Sequence, residues 1–134
     1  MGFLHSIDLK ILEINKLLDT GIIAETFKLG WSNGSLNLIT PIALDLQEKQ
    51  SLLRKSYEWY GKLNLFSDVA KAENVRFDIL TTRPSNQQLF PAYDTALSVI
   101  ESSDATIKII EESSLEAYTE QIEKYLPIVE TDIF

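Results

Sequence analysis

Arg76, Asp78, Arg83 and Tyr93 come nearest to a chemical site in this sequence: two guanidinium groups and a carboxylate around VRFDILTT (75–82), with a phenol a short way beyond. In α/β sheets the carboxyl end of a strand is a common place for ligands, so these four side chains would line a polar pocket for an anionic small molecule. The competing reading is a solvated strand face, with Arg76 and Asp78 paired on one side of the strand. Acid–base and nucleophilic chemistry find less support. His5 is the only histidine, a Ser-His-Asp arrangement would have to be built around it alone, and no catalytic residue is assigned. With no cysteine, thiolate metal sites, disulfides and cysteine nucleophiles fall away. Asp104, Glu111 and Glu112 offer oxygen ligands of the kind that suit Mg2+ or Ca2+. Carboxylates at a strand end ordinarily face solvent, however, and neither a metal nor another cofactor is expected. The glycines form neither GxGxxG nor a phosphate-binding P-loop.

Charge supplies a second constellation. The formal net charge of −8 gathers beyond residue 100, where nine carboxylates, Glu112, Glu116, Glu120 and Glu123 among them, face only Lys108 and Lys124. Such a surface repels nucleic-acid phosphates and anionic membranes and matches a basic protein partner. In YEWYG (57–61), Tyr57 and Tyr60 lie about one helical turn apart and Trp59 points elsewhere, so at least one ring is available as an interface anchor. No run reaches the roughly 18 apolar residues of a membrane span, and no signal-peptide pattern opens the chain, so a cytoplasmic location is expected. MGFLHS fits the short N-myristoylation pattern, but Ser6 reads more simply as a helix cap.

These residues need a scaffold, and 134 residues suffice for one α+β domain with its own core. Ile7, Ile11, Ile14 and Leu18 recur at helical spacing between Ser6 and Gly21, which predicts a first helix over 7–18. FKLGW and SLNLIT predict a hairpin around Asn33-Gly34, pairing Trp31 with Leu36 and Leu29 with Leu38, with Phe27, Leu29, Trp31, Leu36 and Leu38 on one face. Thr40-Pro41 reads as the start of a helix ending at Gly61, followed by a shorter helix over 65–72. A strand over 75–82, a helix over 91–102, a strand over 105–110 and a helix over 113–126, opened by a Ser113-to-Glu116 capping box, complete the order. The expected architecture is a mixed four-stranded sheet with the hairpin and helices packed against it.

The succession helix, hairpin, helix and strand VRFDI resembles the restriction-endonuclease-like fold, in particular the YraN-like family, over residues 25–80. The matching pieces are ETFKL and LNLIT on the hairpin, EKQSLLRKSYEWY on the helix and VRFDIL on the strand. The family's hairpin carries metal-binding carboxylates and a lysine, where this chain has Lys28, Asn37 and Ile39. Without acidic ligands a metal-activated water is not generated. The resemblance therefore implies a catalytically inactive relative kept for binding.

Three readings follow. The first is a non-enzymatic acidic interaction module, inhibitor-like or immunity-protein-like, that meets a basic protein through Glu112, Glu116, Glu120 and Glu123, with Trp59 or Tyr118 as anchor. The second is a ligand-binding or enzymatic domain using Arg76, Asp78, Arg83 and Tyr93. The third adds a homodimer through the edge of the uncharged strand SLNLIT.

Overall fold

The structure, a computed structural model, describes residues 12–126. Five strands form one sheet in the order β1-β2-β3-β4-β5: β1 Glu13–Asp19, β2 Ala24–Ser32, β3 Leu36–Pro41, β4 Val75–Thr81 and β5 Ile107–Glu111. The first three run as an antiparallel meander, and β4 and β5 continue parallel to β3. Parallel neighbours need crossovers, supplied here by α1 (Lys49–Ala72) and α2 (Phe90–Glu101); α3 (Leu115–Tyr125) follows β5. The mixed α+β architecture stands, with one strand more than the expected four.

That extra strand replaces part of the expected first helix. Ile14 and Leu18 are four residues apart, which satisfies a helical period and a strand period alike. The structure takes the strand, with Leu18 buried and Lys16 ion-paired to Glu73 at the end of α1. The rest of that helix, its Ser6 cap, His5 and the MGFLHS pattern lie outside the described residues.

The hairpin exists with a different register. Ser32 pairs with Leu36, Trp31 with Asn37, Gly30 with Leu38 and Leu29 with Ile39, so the connection is three residues, Asn33-Gly34-Ser35. Gly34, at φ 104°, supplies the left-handed residue. The Asn33 side-chain oxygen accepts from Asn37 Nδ2 at 2.8 Å, and Ser35 Oγ donates to Asn37 Oδ1 at 2.9 Å. A one-residue slip reverses which side chains share a face. Leu36 and Leu38 therefore lie opposite Trp31 and Ile39. Phe27 and Trp31 also end on opposite faces although four residues apart, because the alternation reverses where β2 leaves β3 beyond Leu29 and β1 is irregular at Asn15 (φ 48°). Gly30 leaves room for Ile14, since a Cβ there would stand 2.5 Å from Ile14 Cδ1.

Pro41 ends β3 rather than opening a helix. Residues 42–48 run on without regular structure, delivering Ile42 and Leu44 to the core, and α1 then passes straight through Gly61 to Ala72. Two cores result. One lies between the sheet and helices α1 and α2, around Phe27, Leu38, Leu63, Phe66, Phe77 and Tyr93. The other lies between the opposite face and α3, around Trp31, Ile39, Leu80, Tyr118 and Ile122. Among the described residues no helix is long and apolar enough to cross a membrane.

Candidate functional site

Alternation along β4 sends Arg76, Asp78 and Leu80 toward α3, and Phe77, Ile79 and Thr81 toward α1 and α2. The four polar residues singled out from sequence are thereby divided between two places.

On the α3 side, Asp78 is wholly buried and its carboxylate is saturated with donors. Arg76 donates from Nε to Oδ1 at 2.6 Å and from a terminal nitrogen to Oδ2 at 3.1 Å. The Tyr118 hydroxyl donates to Oδ2 at 2.6 Å. Trp31 Nε1 donates to the Tyr118 oxygen at 2.9 Å and leans toward Asp78 Oδ2 at 3.3 Å. The Trp31 and Tyr118 rings meet edge to face at 6.0 Å. The buried polar side-chain atoms of Asp78, Tyr118 and Trp31 all have partners, as burial demands. What the arrangement does is fasten α3 to the sheet. Tyr118, expected as an exposed anchor, is only 3% exposed and belongs to this fastening. The sequence marks Trp31 as a core residue only, because its place beside Asp78 depends on the one-residue shift in hairpin register.

At the carboxyl ends of β4 and β5, Thr81 and Glu111 are register neighbours. The Tyr93 hydroxyl donates to Glu111 Oε2 at 2.8 Å, and the Arg83 guanidinium lies 3.6 Å from the same oxygen. Arg83 also covers the rings of Phe90 and Tyr93 at 4.8 and 5.3 Å. An open cleft of about 530 Å³ there is lined by Arg83, Glu111, Glu112 and Ser113. The arrangement suits reversible ion pairing with a polar ligand, at the end of the sheet where α/β folds commonly bind one. Glu111 is the member missed as a partner of Arg83 and Tyr93; both β4 and β5 end on a polar residue, and that was the available signal.

Both buried phenols are raised above the ordinary tyrosine range. For Tyr118 the first cause is burial, then the charge of Asp78 and the hydrogen bond to it; for Tyr93 it is burial, then the hydrogen bond to Glu111 and its charge. A group whose native pKa is raised contributes stability that is complete below its unfolded pKa, about 10 for tyrosine, and is lost as pH rises beyond that. Unfolding free energy should therefore be insensitive to these groups at neutral pH and fall above about pH 10. Urea titrations at rising pH would show this, with a shallower fall in Tyr118→Phe; equal slopes in both proteins would refute the assignment.

The acidic residues lie along α3 and the turn before it. Glu112, Glu116, Glu120 and Glu123 are all exposed, and Tyr118, Thr119 and Ile122 face inward. Among the described residues none of the four glutamates is in an ion pair. The helix is capped at Ser114 without a side-chain hydrogen bond, so the expected capping box does not form. Trp59 is half-buried against the other core with Lys62 4.4 Å from its ring, on the far side of the sheet from α3. Tyr125 is the exposed aromatic of α3, 53% accessible and 5.7 Å from the Trp31 ring.

At the positions where the nuclease-like resemblance would require ligands, Lys28 is exposed, Asn37 is bonded to the turn and Ile39 is in the core. Among the described residues no three His, Cys, Asp or Glu side chains gather as a metal would need. The hairpin edge is not free, because β3 pairs on both sides, with β2 and β4. The edge expected to form a homodimer is interior to the sheet. Compared with protein-family models, curated proteins and solved structures, the chain matches none.

Proposed function

We propose that this protein is a non-enzymatic interaction module whose α3 meets a basic surface on a protein partner. The observation that carries the reading is the pairing of two sides of one helix. The inner side is fastened through Tyr118, Asp78 and Trp31, and the outer side, with the turn before it, presents Glu112, Glu116, Glu120 and Glu123, none of them in an ion pair among the described residues. A fixed row of like charges speeds association with an oppositely charged surface and excludes partners of its own sign. Tyr125, exposed at the end of the same helix, is the aromatic anchor in place of Tyr118 and Trp59. A restriction-endonuclease-like scaffold with Lys28, Asn37 and Ile39 at the ligand positions of its hairpin would serve the same binding role.

Affinity capture from the native host, at low and at moderate salt, tests this. A basic protein retained at low salt by the wild type, and lost when Glu116, Glu120 and Glu123 are changed to lysine, is the expected result. Capture that ignores both the salt and the triple change would overturn the reading. The cleft at Arg83, Glu111 and Glu112 supports a second reading, a site for a small polar ligand. In that case a small zwitterion, its anionic group on Arg83 and its cationic group on Glu111 or Glu112, would raise the melting temperature of the wild type and not of Arg83→Ala.

A further inference from the structure

Helix α1 carries an outer face that no other element of the described structure covers. Arg54, Glu58, Gly61, Leu65 and Asp68 follow one another at steps of three and four residues, and Tyr57 lies four before Gly61, which places them on one side of the helix. Tyr57 is 59% and Leu65 47% exposed, far more than a solvated helix needs to show of such side chains. Arg54 and Asp68 are exposed and in no ion pair among the described residues. Gly61 stands at the centre. A Cβ there would meet nothing within 4 Å, and no positive φ requires glycine, so the fold of a single chain gives no reason for it. Mid-helix glycine instead destabilises a helix relative to alanine.

The face is self-complementary about Gly61. Seven residues before it is Arg54 and seven after is Asp68; four before is Tyr57 and four after is Leu65. We propose that this face is the seam of a homodimer in which two α1 helices pack antiparallel across a two-fold axis at Gly61. Arg54 then meets the partner's Asp68 and Tyr57 packs on the partner's Leu65, each contact occurring twice, as an isologous interface requires. Glycine at the crossing lets the helix axes approach to the near end of the usual range of about 8 to 10 Å. A parallel pairing would set Arg54 against Arg54 and Asp68 against Asp68, so charge selects the antiparallel one. The seam lies on the opposite side of the sheet from α3 and leaves both acidic helices of a dimer free.

Sedimentation velocity over a range of protein concentrations tests the proposal, with circular dichroism to confirm that each variant is folded. The wild type should dimerise with concentration. Arg54→Asp alone and Asp68→Arg alone should each weaken association at least tenfold, since each sets like charges against each other. Mixing these two variants should restore a dimer, because each then faces the opposite charge, and the double variant should associate like the wild type. Gly61→Leu, which meets open space in a single chain, should leave the fold intact and the protein monomeric. A wild type that stays monomeric throughout, or a dimer that both single reversals leave unchanged, would overturn it.

Discussion

Trp31→Ala should lower the unfolding free energy by about 3 to 5 kcal/mol, the range for truncating a large buried aromatic. Trp31 is only 4% exposed, and its indole lies between β2 and α3, edge to face with Tyr118 and 5.9 Å from the Arg76 guanidinium. Truncation opens a cavity in the smaller of the two cores. It also removes the N–H that Tyr118 accepts at 2.9 Å. Urea denaturation reads the effect as a lower midpoint at unchanged slope. A loss under about 1 kcal/mol would place Trp31 at the surface, contrary to its burial.

Asp78→Ala should cost a similar amount, about 3 to 5 kcal/mol, as expected for breaking a buried ion pair by removing one partner. The carboxylate is the common acceptor for Arg76, Tyr118 and Trp31, so its loss leaves several buried donors unsatisfied at once. Arg76, with its side chain 20% exposed, can turn to water, so Arg76→Ala should cost less than Asp78→Ala. Because this group fastens α3, the damage should be local before it is global. Amides of residues 115–125 should exchange faster in Asp78→Ala, while those of β3 and β4 change less. Uniform acceleration across the sheet would show that the network supports the whole domain rather than one helix.

How far the sequence disclosed this arrangement depended on whether a residue's local pattern had one solution or two. In VRFDILTT the alternation has one, and β4 carries Arg76 and Asp78 on a shared face as expected. Pro91 and the apolar spacing after it mark α2 correctly, and α3 falls within the expected bounds. Ile14 and Leu18 fit a helix and a strand equally, and only pairing with β2 decides between them. Asn33-Gly34 is a strong two-residue turn signal. The bonds of Asn33 with Ser35 and Asn37 draw a third residue into the turn, and the register moves by one. That single step put Trp31 on a face the sequence had not assigned to it, and with it went half of the buried network. Gly61 looked like a helix end because glycine often is one. Leu63, Phe66 and Ala70 bury enough surface beyond it to carry α1 onward.

The exposure of Glu112, Glu116, Glu120 and Glu123 was legible from composition and spacing, since no apolar stripe claims those positions. Their anchor was not. Tyr118 and Tyr125 are seven residues apart on α3, yet one is buried beside Asp78 and the other exposed at the helix end. The difference comes from the sheet beneath them.

The most direct measurement is the association rate of the captured basic partner with purified wild type and with Glu116→Lys/Glu120→Lys/Glu123→Lys, taken against ionic strength. Electrostatic steering predicts a fast rate at low salt that falls steeply as salt rises, and a slow, nearly salt-independent rate for the triple variant. A rate that is the same in both proteins at every salt concentration would contradict the account and leave α3 as no more than a solvated helix.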